Sequence, residues 1–225
     1  MALLSRALPV APGITLWPAA LAPEAQAVLL RDMLERLEQA PFYRPTMPRT
    51  GKAFSVEQSN FGALGWISDQ AGYRYEPCHP VTGLPWPAIP PLLLTLWDEA
   101  VGSHAKPECC LVNLYRPGAR MGLHQDRDEA ALDAPVLSLS LGDDALFRIG
   151  GTTRRGASQS LRLKSGDLLA FGGPARLAFH GVDRIISAGS SRLIPGGGRL
   201  NLTLRRVTPA QEQPGGAKKD ARPGG

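Results

Sequence analysis

The sequence predicts a mainly β chain, α+β in class, whose short antiparallel strands close into a sandwich or barrel behind two N-terminal helices. Three observations carry this. From Glu108 onward the apolar residues recur with period 2, as on a pleated strand. The 25 glycines and 21 prolines among 225 residues suit many short strands joined by turns. Ahead of the strands, two apolar stripes at helical spacing each open on proline.

Taken in order, residues 1 to 12 are broken by Pro9 and Pro12 and read as loosely structured. Pro23 opens a helix to about Ala40, with Ala27, Leu30, Met33, Leu34 and Leu37 on its apolar face and Pro41 as its stop. Residues 41 to 90 lack clear periodicity and interleave Phe42, Phe54, Trp66, Tyr73, Tyr75 and Trp86 with basic residues. Such a segment is either a functional cover or a loop anchored by its aromatics. Pro90-Pro91 opens the second helix, with Leu93, Leu96, Trp97 and Ala100 as its stripe and Gly102 as its stop. The strands then fall around 110–115, 136–141, 161–164, 168–171, 177–180 and 199–205. From Pro209 to Gly225 the chain is Gly, Pro and charge, a composition that predicts disorder.

At 225 residues, 43% apolar, the chain can bury one full core, so a single domain is expected. The formal charge of +5 favours polyanionic partners without proving them. Cys78, Cys109 and Cys110 form no CxxC pair, which argues against a disulfide framework and structural zinc. No sustained apolar run marks a signal peptide or a membrane span, so a cytoplasmic protein with no membrane partner is expected.

The residues that carry chemistry begin with His124-Gln125-Asp126 and the distant His180. Two His and one carboxylate can cap one face of a metal ion, as in the facial triad of non-haem Fe(II) oxygenases. Chance alone supplies about 0.4 His-x-acid triplets in a chain of this composition, so the surroundings decide. Arg199, Asn201, Thr203 and Arg205 share one parity and so one strand face. That face either meets solvent or points inward, where two guanidinium groups demand an anionic partner such as a dicarboxylate. Asn113 and Tyr115 form a second same-face pair just upstream; Tyr115 alone also reads as a plain core aromatic. His79 and His104 have no such company and read as loop residues rather than ligands.

Here the residues carry a family resemblance. Asn113-Leu114-Tyr115, Leu123 to Glu129, Ser138 to Gly142, Gly166-Asp167, Gly172-Gly173, His180-Gly181 and Arg199 to Arg205 resemble, in order and spacing, the AlkB-type Fe(II)/2-oxoglutarate-dependent dioxygenases of the bacterial subgroup. Gly65-Trp66, Gly72-Tyr73 and Pro85-Trp86-Pro87 extend the likeness, which covers about residues 13 to 208. It implies a double-stranded β-helix, or jelly roll, at about 108–208, with N-terminal helices and a nucleotide-recognition lid at about 42–88, all in one domain over 1–208.

The resemblance also implies roles. His124, Asp126 and His180 hold the iron and are the catalytic set. The 2-oxoglutarate set is Asn113, Leu114, Tyr115, Arg199, Asn201 and Arg205, with Arg199, Asn201 and Tyr115 on the distal carboxylate and Arg205 and Asn113 by the chelating one. Trp66 stacks on the damaged base against His124, Tyr73 meets a phosphate, Asp128 accepts from the exocyclic amine with Glu129 beside it, and Arg154 contacts substrate. The implied reaction is oxidative removal of N-methyl groups from 1-methyladenine and 3-methylcytosine, in single-stranded DNA first and RNA second. O2 and 2-oxoglutarate are consumed and succinate, CO2 and formaldehyde released, by a monomer. Two rivals stand beside it: the same chemistry on tRNA bases, a protein side chain or a lipid, and a binding module with a vestigial metal site. A solvated acidic loop remains the plain reading of Asp128 and Glu129. Phe171, Ile149, Phe54 and the loop Ser187–Gly198 depart from the bacterial pattern without removing a ligand.

Overall fold

A computed structural model describes residues 4, 6–102, 106–186 and 191–209. His104, Ser187 to Ser190 of the divergent loop and all but the first residue of the expected tail lie outside the described residues. The strands are β1 (Leu8–Ala11), β2 (Ile14–Trp17), β3 (Glu57–Gly62), β4 (Gly65–Asp69), β5 (Gly72–Glu76), β6 (Cys109–Tyr115) and β7 (Met121–His124). They continue as β8 (Val136–Gly142), β9 (Ala145–Gly150), β10 (Ser158–Leu163), β11 (Leu168–Phe171), β12 (His180–Ile185) and β13 (Arg199–Arg205). The helices are α1 (Pro23–Gln39) and α2 (Pro91–Val101).

One sheet has the order β1-β2-β11-β8-β13-β6-β3, the other β10-β9-β12-β7, and β4-β5 forms a separate hairpin. From β6 to β13 the chain fills both sheets in a jelly-roll order, which blunts the open-edge problem of a single sheet. All paired strands are antiparallel.

The large sheet is buried on both faces. One face carries Cys110, Val112, Leu114, Leu200, Leu202 and Leu204, which pack with the helix residues Met33, Leu93, Leu96 and Trp97. The opposite face meets the small sheet through Tyr115, Val136, Leu169 and Phe171 against Phe147, Ile149, Leu163 and Val182. The molecule is thus layered as helices, large sheet and small sheet, which is why β6, β8 and β13 read as near-continuous apolar runs.

Both helices begin and end where proline and glycine place them; Gly102 takes φ 79 as the cap of α2. The buried face of α1 is rotated from the expected one. Gln26, Leu29, Leu30, Met33 and Leu37 are buried, while Ala27 and Leu34 face solvent. Three further expectations are corrected. Residues 8–11 are a strand, because β1 extends β2 at the sheet edge. The segment 41–90 holds β3, which pairs with β6, and the β4-β5 hairpin. Residues 177–179 leave a short 3₁₀ turn at Gly173–Ala175, and the strand starts only at His180. Strands β7 and β9 escaped the pattern reading. β7 has only four residues; β9 does alternate, with Ala145, Phe147 and Ile149 buried.

Candidate active site

The site is built where β7 ends and β12 begins. His180 pairs in register with His124, and their rings lie 4.5 Å apart. Gly181 permits this approach, since a Cβ there would sit 2.5 Å from the Met121 carbonyl oxygen. Asp126, on the loop just past β7, completes the group: its Oδ1 lies 3.7 Å from His124 Nε2 and 3.8 Å from His180 Nε2. One ligand atom from each of the three residues falls within 4.8 Å of the others.

Each imidazole has its tautomer set from behind. His124 Nδ1 faces the Gly122 carbonyl and His180 Nδ1 the Ala178 carbonyl, both at 2.9 Å. Nδ1–H donates there, which leaves both Nε2 lone pairs aimed at the shared centre. Burial, with His124 beside it, lowers the His180 pKa to about 4, so it is a neutral ligand at ordinary pH. Burial alone would raise the Asp126 carboxyl. Arg205, His180 and His124 outweigh it and hold the group well below the usual carboxylate range. A buried anion, two imidazoles and an open cavity side make a donor set that fits a divalent iron.

Arg205 clasps Asp126 from the far side, with Nε and Nη2 at 3.0 and 2.7 Å from Oδ2. Behind it lies a buried network. Glu129 pairs with Arg176 at 3.0 Å and accepts from Tyr75 Oη; Arg176 also donates to the Asp126 and Ala134 carbonyls. Arg205 Nη1 donates to Tyr75 Oη at 3.3 Å. Glu129 is therefore neither a solvated acid nor free beside a substrate, although it lines the cavity wall.

The face of β13 points inward, not to solvent. Arg199 is 1% exposed, and its hydrogen bonds go to neutral groups, the Ser140 hydroxyl and the Asp143 and Leu163 carbonyls. Its Nε has no partner among the described residues, and burial lowers its pKa to about 10. A guanidinium buried among neutral acceptors is poised for an anion. Arg199 does not itself line the cavity, but its register partner Tyr115 does. The Tyr115 phenol is pushed up by burial and stays a neutral donor, next to Met121 Sδ. Asn113 and Asn201 also line the cavity. The Leu114 side chain turns to the opposite face and packs in the helix-side core.

The cavity holds about 860 Å³ and contains the three candidate ligands. Over it, Trp66 stacks on Tyr73 at 5.5 Å and 17°, and Phe54 lies 6.5 Å from Trp66. Trp66 Nε1 donates to Asp128 Oδ2 at 2.9 Å. Arg154 lies over the Phe179 ring at the cavity rim. Of the divergent positions, Phe171 packs 4.6 Å from the His180 ring, and Ile149 pairs with His180 in register. His79 is buried between Tyr43 and Trp86, bonded to the Pro41 carbonyl and the Val81 and Thr82 amides, away from the metal group.

Gln58, Tyr75 and Arg176 were not singled out by the sequence. Tyr75 shares parity with Tyr73 and could have been found so; Arg176 sits in an irregular turn with no local signal.

Residues 13–205 match the model of the 2OG-Fe(II) oxygenase superfamily. The chain is 56% identical over 210 residues to the alpha-ketoglutarate-dependent dioxygenase AlkB homolog of Caulobacter vibrioides, covering 92% of this chain and 94% of that one. It is 38% identical over 183 residues to the alpha-ketoglutarate-dependent dioxygenase AlkB of Escherichia coli, covering 80% and 83%. Among solved structures, that of OsALKBH1 superposes with a TM-score of 0.76 at 29% identity, over 89% of this chain and 100% of that one.

Proposed function

Because the chain belongs to the 2OG-Fe(II) oxygenase superfamily, and within it to the AlkB-type dioxygenases, we propose that it repairs N-alkylated bases by oxidative demethylation. The chain is an Fe(II)/2-oxoglutarate-dependent dioxygenase, with Fe(II), 2-oxoglutarate and O2 as its requirements. Its substrates are 1-methyladenine and 3-methylcytosine in single-stranded DNA, with RNA second. The reading places one domain over 1–208 in a cytoplasmic monomer, with the segment 42–88 as the lid.

The observation that carries the substrate class is the Trp66–Asp128 pair, which roofs the same cavity that holds His124, Asp126 and His180. A methylated base carries positive charge and a flat face. Trp66 offers the stacking surface, and Asp128 offers both an acceptor and a counter-charge. Lys52, Arg120, Arg127 and Arg154 line the cavity and suit the phosphates of a single strand, with Tyr73 exposed beside them.

His124, Asp126 and His180 hold the iron. Arg199, Asn201 and Tyr115 take the distal carboxylate of 2-oxoglutarate; Arg205 and Asn113 take the one beside the iron. Bound there, iron and 2-oxoglutarate supply O2 activation coupled to oxidative decarboxylation. The protein orients the N-methyl group toward that centre and excludes water with Phe54, Trp66 and Phe147. Overall, the methyl leaves as formaldehyde, and succinate and CO2 are formed.

A second reading, the same chemistry on a tRNA base, has one support: a 35% identical relative over 118 residues is the tRNA demethylase abh1 of Schizosaccharomyces pombe. One assay separates the two. Methylated single-stranded DNA, RNA and tRNA are offered with Fe(II) and 2-oxoglutarate, and formaldehyde is measured. Faster release from DNA is expected; release from tRNA alone would reverse the reading, and release from none would end it.

A further inference from the structure

A row of polar side chains crosses the large sheet beneath the cavity. Gln58 on β3 is the register partner of Asn113 on β6, Asn113 of Asn201 on β13, and Asn201 of Ser140 on β8. Residues directly opposite in neighbouring strands lie side by side, and within this row Gln58 and Asn113 are hydrogen-bonded to each other. Asn201 is committed at both ends of its amide. Its Nδ2 donates to Ser138 Oγ at 2.7 Å, and its Oδ1 accepts from Thr203 Oγ1 at 2.9 Å. Asn113 is committed at one end. Gln58 Nε2 donates to Asn113 Oδ1 at 2.7 Å, and Asn113 Nδ2 makes no hydrogen bond among the described residues.

An amide pair can close either way round. If Gln58 accepted instead, Asn113 would present its carbonyl oxygen to the cavity. Gln58 is 1% exposed, its backbone is bridged to Tyr43 on one side and β6 on the other, and its own Oε1 is buried without a partner among the described residues. This closure leaves Asn113 Nδ2 as a donor at the cavity, which is what an acceptor-only carboxylate requires.

We infer that Gln58 is a positioning residue for 2-oxoglutarate: by donating to Asn113 Oδ1 it turns the Asn113 amide N–H toward the cosubstrate carboxylate. The inference rests on the reading of Asn113 as a cosubstrate contact. Gln58 does not touch the reacting atoms; it acts through Asn113.

Glutamine, leucine and glutamate at this position separate the possibilities. Leucine removes the tie and leaves Asn113 free to turn. Ionised glutamate can only accept, so it draws Asn113 Nδ2 toward itself and turns Oδ1 to the cosubstrate. In iron-loaded enzyme, Gln58→Leu raises the 2-oxoglutarate half-saturation by about 5-fold, and Gln58→Glu by about 30-fold. The maximal rate and the half-saturation for methylated oligonucleotide stay as in the wild type, and so does the thermal midpoint of Gln58→Leu, whereas the buried carboxylate of Gln58→Glu lowers its midpoint. Asn113→Ala is the control, with an increase of about 10-fold. If Asn113→Ala raises the requirement and neither Gln58 variant does, the inference is overturned while the Asn113 reading stands. If Asn113→Ala changes nothing, the Asn113 reading fails and takes the inference with it. If Gln58→Leu weakens oligonucleotide and cosubstrate alike and lowers the midpoint, Gln58 is merely structural and the inference falls.

Discussion

Trp66 hands its indole N–H to Asp128 Oδ2 at 2.9 Å, so the aromatic face from β4 is tied to the carboxylate on the loop after β7. One oxygen of Asp128 is used by this tie, and the other stays available to a ligand. Asp128→Ala should cut kcat/KM for methylated single-stranded DNA by about 100-fold, because it removes a charge-assisted hydrogen bond. Decarboxylation of 2-oxoglutarate without substrate should persist. Rates measured with and without oligonucleotide check this; parallel losses in both would point to damage of the fold instead.

His124→Ala should abolish formaldehyde release yet keep the fold, since its side chain is 37% exposed and no core packing depends on it. Gel-shift binding of the oligonucleotide should survive. Residual turnover in metal-saturating buffer would dismiss His124 as a ligand.

Arg199→Ala should raise the 2-oxoglutarate requirement by about 100-fold, or roughly 2.7 kcal/mol, by removing the cationic partner of a buried carboxylate. Its present hydrogen bonds go to neutral acceptors. A titration that overlays the wild type would assign Arg199 to structure alone.

Glu129→Gln should destabilise the protein by about 3 kcal/mol, because Arg176 would remain buried without its anionic partner. Joining it with Arg176→Met should restore part of the loss. Urea unfolding reads both; additive losses in the double variant would deny the pair.

The pH dependence of the metal-free protein should show His180. Its folded pKa of about 4 lies below the ordinary 6.5, so the unfolded chain takes up the proton first. Stability is full above about pH 6.5 and falls by about 3 kcal/mol as pH drops toward 4. Asp126 is depressed in the same sense, in a lower window: its carboxyl contributes stability above its ordinary range, which is lost only in stronger acid. His180→Asn should lack the loss between pH 6.5 and 4, and the same slope in both proteins would refute the assignment.

Much of this was legible in the chain because it is periodic. The parity of Arg199, Asn201, Thr203 and Arg205 held, and so did the spacing that puts His124 and Asp126 together. Parity could not say which face was inside; that required the helix layer, whose Leu93, Leu96 and Trp97 cover the Leu200–Leu204 side. Strands β4 and β5 were hidden because, among the described residues, they pair with each other and with no core strand, so their residues carry no sheet-wide alternation. Glu129 looked like a substrate contact beside Asp128, since nothing local announces Arg176 as its partner, 47 positions away.

The grip of Arg205 on Asp126 limits how many bonds the carboxylate can offer. A carboxylate free at both oxygens can chelate an ion. Here Oδ2 takes two N–H groups of Arg205, and only Oδ1 faces the histidines. Among the described residues the protein thus offers a metal three donors and no fourth. An ion held there would keep its other side open to the cosubstrate and to O2, because Arg205 bars Asp126 from a second bond to it. Arg205→Ala should therefore slow oxygen consumption even at saturating 2-oxoglutarate.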